Sequence, residues 1–107
     1  MKFKKKKRAR RIAVREVKRN LSIDGWDILE SRTDEPGPMD LLVRREQQVF
    51  AIKVNPVVYP LQPGDMEKEE RETLKKAARR FRAFPARADV KLFSDLRLRE
   101  LTYRRVR

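Results

Sequence analysis

The chain has 107 residues, with 29 Lys and Arg against 16 Asp and Glu, a net charge of +13, and neither His nor Cys. That length suits one domain. The absences exclude a disulfide framework, a thiolate zinc site, a cysteine nucleophile, an imidazole base and a His-ligated metal. Any catalysis is left to carboxylates, Lys, Tyr or a carboxylate-bound hard cation.

No apolar run approaches the ~20 residues that a membrane-spanning helix needs. The opening Met1-Lys2-Phe3-Lys4-Lys5-Lys6-Lys7-Arg8 is charged and lacks the apolar stretch of a secretory signal. A cytoplasmic protein with no membrane partner is expected. Its charge is segregated. Residues 1–20 hold 11 bases and one acid, Glu16; residues 21–74 hold 6 and 12; residues 75–107 hold 12 and 3. An acidic middle between two basic ends points to a polyanion partner, because Lys and Arg neutralise phosphates and release counterions. The basic residues expected to contact nucleic acid are Lys4, Lys5, Lys6, Lys7, Arg8, Arg10, Arg11, Arg15, Arg79, Arg80, Arg104 and Arg105. They are expected to form a face from the first helix, the end of the second and the C-terminal strand.

Residues 1–8 read as a flexible basic arm and 9–107 as a single domain. Ala9, Ala13, Val17 and Leu21 recur every four residues, with Ile12 beside them, which predicts a helix ended by Gly25. A strand is expected from Trp26 to Ser31. Asp34-Glu35-Pro36-Gly37-Pro38 marks a loop. Two apolar runs, Met39 to Arg44 and Val49 to Val54, flank the polar Arg45-Glu46-Gln47-Gln48 and predict a hairpin. Three prolines and Gly64 make Asn55 to Asp65 a loop. Its apolar stretch Val57-Val58-Tyr59-Pro60-Leu61 suits either a contact in a homodimer or a lid over the core. Met66 to Phe84 reads as a helix with early acids and late bases, matching the macrodipole, and with Asp65 as N-cap. Ala86, Ala88, Val90 and Leu92 alternate with charged residues as in a strand. Leu98 to Val106 reads as a charged edge strand. The predicted order is α-β-β-β-α-β-β, an α/β domain with a mixed central sheet flanked by helices.

That order, together with Gly37-Pro38-Met39-Asp40-Leu41-Leu42 and Val49-Phe50-Ala51-Ile52-Lys53-Val54-Asn55, resembles the PD-(D/E)XK nuclease superfamily, and within it the archaeal Holliday-junction resolvases. The resemblance implies a restriction-endonuclease-like fold. It places Asp40 at the family's Asp and Ala51-Ile52-Lys53 at its E-x-K, so Lys53 is kept and Ala51 replaces the second carboxylate. The family's helix carboxylate would fall to Glu16, the only acid in that segment. In the family, two carboxylates and a strand carbonyl hold Mg²⁺, which polarises phosphate and activates water, and the Lys supports the developing charge. With Ala51 in the motif, Lys53 is expected to pair with Asp40 where the cation would sit.

The plain readings of these residues stay beside that one. Asp40 caps a turn, Glu16 pairs with Arg19, Ala51 and Trp26 are core, and Lys53 and Asn55 are exposed alternates. The function expected is a nucleic-acid-binding protein on a resolvase-like fold with an inactivated metal site and no cofactor. Phosphate contacts do not separate DNA from RNA; the resemblance favours DNA. The first alternative is a Mg²⁺-dependent endonuclease with Asp40 as ligand and Asp27, Glu30 or Glu46 as relocated partner. The second is a structural part of a nucleoprotein assembly. On the sequence pattern alone, Ala51→Glu restores E-x-K and with it metal binding.

Overall fold

The structure, a computed structural model, describes residues 3–32 and 37–107, with side chains from Lys5 onward. Its elements are α1 (Phe3–Ile23), β1 (Asp27–Ser31), β2 (Leu41–Arg45), β3 (Gln48–Val58), α2 (Lys68–Arg80), β4 (Phe84–Leu92) and β5 (Leu98–Arg105). The order is the one expected. The five strands form one sheet in chain order, with β3 and β4 parallel and every other pair antiparallel.

The two helices cover opposite faces of this sheet. The four-residue stripe of α1, joined by Val14, packs on Leu41, Val43, Ile52, Val54, Ala86, Ala88, Val90 and Leu92. On the other face Leu74 and Ala78 of α2 pack on Met39, Leu42 and Ala51. Strand alternation produces this split: Ala51 and Lys53 turn one way, Ile52 and Val54 the other. Each fully buried Val or Leu contributes about 1.5–3 kcal/mol. Trp26 is half-buried against the edge of Phe50, 5.5 Å between ring centres, with the Arg45 guanidinium 4.7 Å above it. It is a packing residue, as its plain reading has it.

Several boundaries differ from expectation. α1 begins at Phe3, inside the segment read as an arm, and the side chains of Lys5, Lys6, Lys7 and Arg8 on it are exposed. β3 runs four residues past Val54, through Pro56. The register with β2 ends at Leu41 and Ile52, so at Pro56 the strand has only β4 beside it. A proline is tolerated at such an edge because no ladder bond is lost there. Val57 and Val58 are consequently buried in the sheet, leaving Tyr59 and Leu61 exposed as the apolar part of the expected contact loop. α2 is shorter at both ends than predicted. Its N-cap is Glu67, not Asp65, and makes no side-chain cap bond. At the other end Arg82 takes φ 52°, and the Ala83 N–H reaches back to the Ala78 carbonyl at 2.9 Å, closing the helix before Phe84. Glu69, Glu70, Arg79 and Arg80 lie in its first and last turns, as the macrodipole reading requires. The loop residues 33–36 lie outside the described residues.

Candidate functional site

Asp40 stands just ahead of β2, where its backbone ties three segments together. Its N–H donates to the Ile52 carbonyl and its carbonyl accepts from Arg32 N–H, each at 2.8 Å. Its side chain is buried and both oxygens are engaged. Oδ2 accepts the Val54 N–H at 2.7 Å, extending the ladder of β3 past the end of β2. Oδ1 accepts Nη2 of Arg10 from α1. The same Nη2 donates to the Arg32 carbonyl at 3.0 Å. Lys53 Nζ lies 4.0 Å from Oδ2 and donates to the Gly37 carbonyl at 2.7 Å.

The structure therefore brings Lys53 to Asp40, as expected, but makes Arg10 the nearer cation. Arg10, expected among the residues facing nucleic acid, is turned inward on this carboxylate. Beside it a cavity of about 470 Å³ opens between α1 and the end of β3, with Lys6, Arg10 and Asn55 in its wall. Ala51 does not line an open site. It is fully buried in the apolar cluster under α2. A carboxylate at position 51 would enter that cluster while Arg10 still held Asp40. Metal binding is thus no longer the outcome expected of Ala51→Glu.

Glu16 is not placed at this centre. It is six residues from Arg10, about 9 Å along the helix and roughly 240° around it, and pairs with Arg19 at 3.7 Å. Of the relocated candidates, Glu30 pairs with Arg32 at 3.2 Å, Asp27 is exposed on β1, and Glu46 is exposed in the hairpin turn. Among the described residues no three acidic side chains gather closely enough to hold a metal ion.

The basic residues do not form one face. Lys5, Lys6, Lys7, Arg8, Arg11 and Arg15 are exposed on α1. Arg79 and Arg80 end α2 on the other side of the sheet. Arg105 lies 4.0 Å over the Phe84 ring, and Arg104 is tied to Asp89. The side chain of Lys4 lies outside the described residues.

A second ionic centre was not foreseen. Asp89 and Arg87 were read only as the polar alternates of β4, yet both are buried. Arg87 Nε donates to Asp89 Oδ1 at 2.9 Å and its Nη2 to Oδ2 at 3.1 Å. Asn55 Nδ2, from the paired position on β3, donates to Oδ1 at 2.9 Å, and Arg104 Nη2 to Oδ2 at 2.9 Å. Burial by itself raises the Asp89 carboxyl. The hydrogen bonds from Asn55, Arg104 and Arg87, with the Arg87 charge, outweigh it and hold the group below the ordinary 3.8. The unfolded chain then takes up this proton first. The stability Asp89 contributes is complete above 3.8 and is lost as pH falls through the lower folded value. Denaturant midpoints measured from about pH 5 to about pH 2 should fall less steeply for Asp89→Asn than for the parent. Equal slopes would mean that Asp89 is not held ionised by the fold.

No protein-family model matches the chain, and no curated protein sequence does. Among solved structures it is similar to the Holliday junction resolvase of Archaeoglobus fulgidus, an archaeal hyperthermophile. The TM-score is 0.64 at 20% identity, over 86% of this chain and 72% of that one. The mixed sheet, the helix on each face and the element order thus make this a restriction-endonuclease-like α/β fold of the resolvase kind.

Proposed function

We propose that the chain binds nucleic acid, DNA in preference to RNA, on a resolvase-like scaffold whose metal position is filled by an internal ion pair. The observation that carries this reading is Arg10 on Asp40. Mg²⁺ demands near-ideal oxygen coordination and is held through carboxylates. At Asp40 one oxygen accepts a guanidinium, the other accepts a backbone N–H, and the Lys53 ammonium stands 4.0 Å away. The residues present do not fit the cation. The wall of Lys6 and Arg10 beside Asp40 suits phosphate oxygens instead. The exposed bases of α1 continue that surface.

The test offers a four-way junction and a duplex of the same sequence, with Mg²⁺ or Mn²⁺. Binding without cutting is expected. Mg²⁺-dependent cutting that disappears in Asp40→Ala would overturn the reading and make the chain a nuclease.

Binding should also be strongly salt-dependent. On duplex DNA, log K against log[salt] falls with a slope of about −0.9 per phosphate neutralised. Deleting residues 1–8 removes Lys and Arg side chains ahead of Ala9, the first core residue of α1. The slope should become shallower by several units, since each lost phosphate contact removes about 0.9. An unchanged slope would show that this segment does not contact phosphate.

A further inference from the structure

The Asp89 centre borders a cavity of about 160 Å³ at the start of α2, walled by Arg71, Arg87, Arg104, Arg105 and Arg107, with Asp65 as its one acid. Counting Asp89 beneath it, these side chains carry three positive charges in excess. Two of the arginines are held in place: Arg87 is buried and forked on Asp89, and Arg104 shares that carboxylate. Arg71 and Arg107 make no side-chain hydrogen bond or ion pair among the described residues.

We propose that this pocket is a phosphate site, taking a phosphoryl dianion either as free phosphate or as the terminal phosphate of a nucleic-acid strand. A dianion offsets two of the three excess charges, whereas a bridging phosphodiester offsets only one. Guanidinium forks match the oxygens of a phosphoryl group in geometry. Anchoring Arg87 and Arg104 on Asp89 removes part of the ordering cost that binding otherwise meets. The proposal rests on the charges of this pocket and not on the reading of Asp40.

Calorimetric titration of the full chain with inorganic phosphate, in chloride of matched ionic strength, tests it. Saturable binding is expected, weakened about tenfold or more in Arg71→Gln and in Arg107→Gln, the loss of one charge-assisted bond. Both positions lie outside the core, so both variants should fold. Lys76→Gln, an exposed change of equal charge on α2, should leave the affinity as it is. Absence of saturable binding, or losses in the two arginine variants no larger than in Lys76→Gln, would overturn the proposal. A short single strand with and without a 5′-phosphate separates the two sources. Preference for the phosphorylated strand, lost in Arg71→Gln, assigns the strand end. Equal affinity for both strands, with inorganic phosphate still bound, assigns the free anion. Phosphate binding that persists in a chain failing to bind any junction or duplex would leave this site standing while the function proposed above falls.

Discussion

Arg10→Ala is expected to lower the free energy of unfolding by about 3–5 kcal/mol, the range for breaking one side of a buried pair. The cause is the carboxylate left behind rather than the lost attraction. Asp40 has no exposed side-chain surface, and Arg10 has only 13%. Without the guanidinium, Asp40 keeps the Val54 N–H and an ammonium 4.0 Å away whose hydrogen bond goes to Gly37. Arg10 also ties α1 to the Arg32 carbonyl, so β1 should loosen in the same variant. Adding Asp40→Ala removes the stranded charge. The double variant should therefore be less destabilised than the sum of the two single ones, by about 1–3 kcal/mol of coupling. Chemical denaturation of the four proteins measures this cycle. Additive effects would show that the two residues do not act as a pair, and the internal cation would no longer explain the site.

Several elements were legible in the sequence because they carry their own apolar pattern. The α1 stripe, the hairpin runs and the Ala86–Leu92 alternation appear in the sheet and helix they predict. What was hidden is what depends on a neighbour distant in sequence. Pro56 reads as a strand breaker until β2 is seen to end at Leu41, leaving that edge open. Arg82 carries no signal for its left-handed backbone, since only glycine advertises that conformation. At the site, Asp40 and Lys53 were legible because the motif places them on adjoining strands. Arg10 was not, because its partner lies 30 residues away and it sits in a run of bases that reads as solvent-facing. A stripe of small residues beside it, Ala9 and Ala13, was the available clue that this side of α1 turns inward. Asp89 left a fainter mark: a lone acid between Arg87 and Lys91 on a strand. Its partners Asn55 and Arg104 come from two other strands.

Ala51→Glu is expected to cost several kcal/mol and to gain no metal. Position 51 is fully enclosed, facing Leu74 and Ala78 of α2 with Leu42 beside it. Enlarging a packed core residue costs about 1–3 kcal/mol, and a carboxylate buried among apolar groups adds a further penalty. The side chain could escape only along its own strand toward Lys53, which sits at the next position on that face. There it would meet an ammonium already bonded to Gly37, while Arg10 still occupied Asp40. A second carboxylate would thus be drawn into the ion-pair network and not into a cation site. Thermal unfolding of Ala51→Glu with and without Mn²⁺ decides the matter. The midpoint should fall well below the parent's and stay there when Mn²⁺ is added. A midpoint restored by Mn²⁺ would mean that Asp40 can leave Arg10 for a metal. In that case the guanidinium from α1 does not keep a metal from Asp40.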